Sequence, residues 1–191
     1  MPTTIRQYGS IMTFSTQDLS ISVQELALVD SKNPVLHVPT KAVEQNQIPN
    51  LTHTITQMHK LMLASGGIGL AAPQVGLDIS VFVLNITGID PLTCINPMVL
   101  EVSSNKVLAA EGCLSFPKLQ INVERPERIK AAWFDHNGTA HTEYLEGLLC
   151  RAFLHEYDHL MGVCFTDRVS KLSLDMARKK LSKQQKRQGV K

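Results

Sequence analysis

The chain has 191 residues, 43% of them hydrophobic and 19% charged, with a net charge of +2. This length and balance fit one globular domain with a sizeable core and exclude a low-complexity or disordered chain. No apolar run approaches the roughly 18 residues of a membrane span, so no membrane association is expected.

The N-terminal stretch MPTTIRQYGSIMTF lacks a continuous apolar region and a small-residue cleavage site, which argues against secretion. It holds no acid before Asp18 and is rich in Ser and Thr, as organellar transit peptides are, but it carries a single arginine. Residues 1–30 are therefore read as an extension, and a bacterial cytoplasm as the compartment, with an organelle as the alternative. Next, IPNLTHTITQMHKLMLASGG sets Leu51, Ile55, Met58 and Met62 on one helical stripe and stops at Gly66-Gly67. From 79 to 146 the texture turns to β-rich runs, ISVFVLNI, LQINVE and RIKAAWFD, with HNGT as a hairpin-like turn.

Helical spacing returns at Gly147. Leu148, Ala152, His155 and His159 share one stripe, and Leu149, Phe153, Glu156 and Leu160 run beside it. A last helix from about Ser170 carries Leu174, Ala177 and Leu181 on one side. The fold class is α+β, with helices flanking a mostly antiparallel β region. Charge is uneven along this order: Arg168 to Lys191 holds nine Lys or Arg against Asp175 alone, while the rest holds ten against sixteen acids. Residues 169–191 thus form a basic appendage on an acidic body, and such a tail suits a polyanion such as RNA or serves as a solvated helix.

The segment FLHEYDHLMG raises the chemical question. His155 and His159 are four residues apart, about 40° around a helix axis, so both imidazoles reach one ion. A lone inward histidine is ordinarily a satisfied core residue. Two of them with Glu156 after the first form H-E-x-x-H, which supplies two metal ligands and a carboxylate beside an open coordination position. Among apolar neighbours Glu156 is expected to have a raised pKa, suited to a general base.

A third ligand separates the possible enzymes. One metallopeptidase pattern needs a histidine where Phe165 stands, and another needs a downstream glutamate, of which there is none after Glu156. A thiolate is the alternative donor. Cys150 and Cys164 are each rotated about 140° from the nearer histidine on a continuous helix, and Cys94 in PLTCINP reads as a core strand residue. Cys113 remains, within AAEGCLSFP, where small and turn-forming residues let the backbone approach the helix. With no paired spacing, the four cysteines read as reduced thiols. The stretch GGIGLAAPQVG formally contains G-x-G-x-x-A, but it follows a helix and runs into Pro73, which rejects a dinucleotide site. Its glycines read either as plain turn chemistry or as a backbone edge for an extended ligand, with Gln74 offering an amide.

Together, GIGLAAPQ (67–74), EGCLS (111–115) and HEYDH (155–159) resemble peptide deformylase, from roughly Asn33 to Arg168. The resemblance implies a catalytic domain over 31–168, with sheets around a central helix that carries the two histidines. It implies Cys113, His155 and His159 as metal ligands, Glu156 as general base and acid, and Gln74 with the Leu114 backbone N–H as oxyanion donors. Ile68 and Gly69 match the segment that pairs with the substrate backbone. The implied reaction removes the formyl group from an N-formylmethionyl peptide, with Fe²⁺ as the expected ion and Zn²⁺, Ni²⁺ or Co²⁺ as substitutes. Implied partners are the formylated peptide and, through the basic tail, ribosomal RNA; a monomer is expected. Two departures stand out: Asn33-Pro34-Val35-Leu36-His37 replaces the usual Asp-Pro-x-Leu-Arg, and Leu154 occupies a position often held by Gln. An H-E-x-x-H metallopeptidase and a non-catalytic module with a closed four-ligand site are the rival readings.

Overall fold

The computed structural model describes residues 25–187 and Gly189. Most of the expected extension, residues 1–24, lies outside them, as do residues 188, 190 and 191 of the tail. The described elements are α1 (Thr52–Ala64), β1 (Gly69–Ala71), β2 (Val81–Leu84), β3 (Leu92–Val102), β4 (Lys106–Cys113), β5 (Phe116–Pro126), β6 (Arg128–Phe134), β7 (Ala140–Glu146), α2 (Gly147–Leu160) and α3 (Lys171–Arg187). Short 3₁₀ turns precede α1 and follow β1 and α2. No helix among the described residues is long and apolar enough to cross a membrane.

Seven antiparallel strands form two separate sheets, one in the order β1-β2-β3-β6-β7 and the other the hairpin β4-β5. All four residues of β2 are buried because both faces of the large sheet are covered. By the two-residue period of a strand, Phe82 and Leu84 join Phe153, Leu154 and Leu160 of α2, while Val81 and Val83 join Ile55, Met58 and Met62 of α1. In β3 the ladder is broken at Asn96, which takes φ 50° and spends its amide on the backbone N–H and C=O of Val43 at 2.8 and 2.7 Å. The HNGT turn closes β6-β7, with Asp135 Oδ1 accepting from the N–H groups of Asn137 and Thr139.

Strand β5 of the hairpin alternates, with Leu119, Ile121, Val123 and Arg125 all facing inward. Three of these pack with Phe165 and with Leu174, Ala177 and Leu181, the stripe expected of α3. Its opposite face is exposed, with Leu172 and Met176 among basic side chains. Leu26 and Leu28 pack on the α1 side of the core, and the Val29 N–H bonds the Gln74 carbonyl, so residues 26–29 are tied to the body.

Helix α2 runs through the centre, with His155, Glu156, Asp158 and His159 all buried. It ends against the residue that follows the Pro34–His37 turn: Gly162 has φ 71°, and a side chain there would approach the Val38 backbone to 2.7 Å. Gly162→Ala is accordingly expected to lower stability by roughly 3 kcal/mol, from backbone strain plus a contact with nowhere to relax. Urea denaturation of the two proteins measures it.

Candidate metal and hydrolytic centre

The centre is built from three elements. Helix α2 contributes His155 and His159, whose rings stand edge to face with centroids 5.3 Å apart, as the four-residue spacing requires. The tip of the β4-β5 hairpin brings Cys113, with Sγ 3.2 Å from His159 Nε2. One donor atom from each of these three residues lies within 4.8 Å of the others, and no fourth His, Cys, Asp or Glu joins the group among the described residues. The turn after β1 brings Gln74. Its Oε1 accepts from the Ala71 N–H at 2.7 Å, which leaves Nε2 pointing at Cys113 Sγ, 3.3 Å away, and at Ser115 Oγ, 3.4 Å away. The orientation of that amide follows from this network.

Proton positions at the two histidines follow from their partners. His155 Nδ1 lies 3.0 Å from Glu111 Oε2. Burial works against ionising Glu111, but hydrogen bonds from His155 and Arg125 outweigh it and hold its pKa down to about 2. A carboxylate only accepts, so Nδ1 of His155 carries a proton and its Nε2 is left for the other donor atoms of the group. His155 itself resists charging because it is buried, yet Cys113 and Glu111 raise its pKa to about 10 when only a proton is present. His159 is driven to about 3 by burial and by His155, so its imidazole is neutral. One thiol and two imidazoles converging on a space that attracts positive charge fit a divalent N/S-binding cation.

Glu156 is buried on the same helix, one residue beyond His155. Burial raises its pKa to about 7, and its Oε2 has no hydrogen-bond partner among the described residues. Its carboxylate lies against the backbone of β1 so closely that a side chain at Gly69 would meet Glu156 Cδ at 2.8 Å. Gly69→Ala is therefore expected to push this carboxylate aside and reduce kcat/KM for the formylated peptide that the sequence resemblance implies as substrate at least a hundredfold, with metal content unchanged. Steady-state rates with elemental analysis check it.

The centre opens into a cleft of about 350 Å³ between β1 and the hairpin, bordered by Ile68, Gly69, Leu114, Phe116, Leu148 and Ala152 among others. Strand β1 is the outer strand of its sheet, so one of its edges is free of strand pairing among the described residues. Leu114 packs its side chain over Gly67, and Ile68 is 45% exposed at the cleft. Cys113, His155, His159, Glu156, Gln74, Leu114, Ile68 and Gly69, the residues given a site role from the sequence, thus line or border one site.

The sequence reading missed the charged shell behind it. Glu111 accepts from Arg125 Nε and Nη2, both at 2.9 Å, and from Arg151 Nη1 at 2.7 Å, while Arg125 Nη1 donates to Asp158 at 2.6 Å. Glu111 and Asp158 stand inside the quoted motifs without an assigned role, and Arg125 occupies an inward parity position in β5. An arginine at that parity calls for a buried carboxylate.

A family model described as polypeptide deformylase matches residues 25–175. The chain belongs to the peptide deformylase family. A peptide deformylase from Thermotoga petrophila is 42% identical over 149 residues, covering 78% of this chain and 90% of that protein. A chloroplastic peptide deformylase 1B from tomato is 38% identical over 168 residues, covering 86% of this chain and 60% of its own. Among solved structures, a peptide deformylase from Synechococcus elongatus in complex with actinonin superimposes with a TM-score of 0.77 at 38% identity, over 84% of this chain and 90% of that one. The enzyme is a peptide deformylase: a metal-dependent hydrolase that removes the formyl group from N-terminal formylmethionine and releases formate. The metallopeptidase alternative is set aside.

Proposed function

We propose that Cys113, His155 and His159 hold the metal ion, and that Fe²⁺ is the native one, with Zn²⁺, Ni²⁺ or Co²⁺ able to replace it. The convergence of three donors within 4.8 Å carries this assignment. When bound, the cation lowers the pKa of a water and polarises the formyl carbonyl. Glu156, at its unpartnered Oε2, takes the proton of the attacking water and delivers it to the departing amine. Gln74 Nε2 and the Leu114 backbone N–H donate to the oxyanion that forms on the formyl oxygen, each such donor contributing about 3 kcal/mol. Ile68 and Gly69 offer the free edge of β1 to the peptide backbone, so recognition beyond methionine is mainly main chain.

The deciding experiment is formate release from formyl-Met-Ala-Ser by protein reconstituted anaerobically with each cation. Highest turnover with Fe²⁺ supports the ion assignment, and a metal:protein ratio unchanged in Cys113→Ala would reject the ligand set. Actinonin, which the Synechococcus elongatus relative binds, is expected to compete with the peptide.

The division of the chain that we propose is an extension over 1–30, whose residues 26–29 pack on the body, a catalytic body over 31–168 and a basic appendage over 169–191, which packs on the hairpin through Leu174, Ala177 and Leu181. The outward face of α3, with Lys179, Lys180 and Lys183, is proposed to dock on ribosomal RNA, where formylated chains emerge. Reversing these three lysines to Glu is expected to weaken ribosome binding and flatten its salt dependence; unchanged binding across a salt series would reject the docking. A monomer in a bacterial cytoplasm completes the proposal. Sedimentation velocity tests the first part, and uptake with N-terminal cleavage by isolated chloroplasts would overturn the second.

A further inference from the structure

Ion pairs run in series from the protein surface to one of the centre's histidines. Arg168, in the turn between α2 and α3, leaves its side chain 47% exposed and grips Asp158 with two groups, Nε to Oδ2 at 2.9 Å and Nη2 to Oδ1. Asp158 Oδ2 also accepts from Arg125 Nη1, and the other edge of that guanidinium forks onto both oxygens of Glu111. Glu111 Oε2 ends the series on His155 Nδ1. Four elements contribute: the 165–168 turn, α2, β5 and β4.

We infer that Arg168 is a positioning residue for His155, acting through Asp158, Arg125 and Glu111. The inference rests on the reading of His155 as a metal ligand. A planar guanidinium that forks onto a carboxylate fixes the carboxylate's plane, and so Glu111 can turn only as far as Arg125 turns. Arg125 has one other anchor, Asp158, and Asp158 is itself held in two-point fashion by Arg168. Releasing Arg168 leaves Asp158 on Arg125 alone, and the slack passes to the oxygen that orients the His155 ring. Arg151 does not take up this slack: it reaches Glu111 through Oε1, the oxygen away from His155. The demand for orientation falls on His155 because the buried Nδ1 of His159 has no hydrogen-bond partner among the described residues. Buried ion pairs seldom outperform apolar packing in stability, so their return here is in geometry. Ligand-orienting partners of this kind commonly govern metal affinity by 10–100-fold.

The test uses metal-loaded full-length protein and compares wild type, Arg168→Ala, Arg168→Lys, Glu111→Gln and the Arg168→Ala/Glu111→Gln double variant. Readouts are the rate of metal loss to excess chelator, kcat and KM. Arg168→Ala is expected to lose metal roughly ten times faster and to lower kcat several-fold at unchanged KM. Arg168→Lys, a charge without the fork, recovers part of both. The double variant should lose metal no faster than Glu111→Gln, since both changes cut the same series. Wild-type metal retention in Arg168→Ala, or multiplying effects in the double variant, would overturn the inference. If His155→Ala retains metal as wild type does, the ligand reading itself fails and takes this inference with it.

Discussion

Glu156→Gln is expected to lower kcat/KM for formyl-Met-Ala-Ser about a thousandfold, through kcat, while KM and metal content stay near wild type. General acid–base groups contribute about 10²–10⁴ in rate, and Glu156 has no substitute: it is the carboxylate beside the cleft, since Glu111 is committed to Arg125, Arg151 and His155. The same residue sets an acid limb. Burial raises its pKa from 4.5 to about 7 in the metal-free protein and a bound cation brings it back down, so wild-type kcat/KM of the metal-loaded enzyme should decline below pH 7 as the ionised base is lost. The residual activity of the glutamine variant should lack that limb. Stability runs the other way. A carboxyl whose folded pKa lies above its unfolded value favours the fold most below pH 4.5, and this advantage is lost as pH rises through 7. In metal-free protein the glutamine variant should therefore be more stable than wild type at pH 8, by on the order of 3 kcal/mol, with the gap closing toward pH 5. Equal activity in the two proteins would remove Glu156 from the mechanism.

Cys113→Ala is expected to abolish activity by a different route, loss of the metal itself. Two imidazoles from one helix turn remain, but the hairpin then offers a methyl group where it had sulfur, and the Gln74 amide loses the acceptor that lies 3.3 Å from it. Stoichiometry after dialysis should drop from one ion per chain to well below one, with circular dichroism near that of the parent protein without metal. Cys113→Asp, which restores an anionic donor, should regain part of the binding; a variant without a side-chain donor that keeps a full complement of metal would show that the thiol is no ligand. Neither Cys94 nor Cys150 can stand in, because both are enclosed in the core between the large sheet and α2.

The helices, and the placing of two histidines and Glu156 on one of them, were legible because that evidence is local, whereas Cys113 joined them as a ligand only through the resemblance. His155, Glu156 and His159 lie within five residues, and Leu174, Ala177 and Leu181 repeat at helical spacing, so periodicity alone placed them. Strands were harder. LQINVE and RIKAAWFD alternate cleanly, but KVLAAEGC of β4 carries small residues on both faces, and β3 contains Pro97 and a break at Asn96. The three residues of β1 read as a glycine turn because their strand character comes wholly from pairing with β2. Least visible was the charged shell: Arg125 meets Asp158 and Glu111 across 33 and 14 residues, and nothing short of the folded topology brings them together.

No ladder of backbone hydrogen bonds joins the β4-β5 hairpin to the five-stranded sheet. An ion shared by Cys113 of the hairpin and the two histidines of α2 would therefore act as a removable rivet between the two halves of the cleft. Its grip on the folded form grows with the logarithm of free ion over its dissociation constant. The melting point of this protein should consequently rise and fall with metal supply, making heat resistance a gauge of how fully the enzyme is charged.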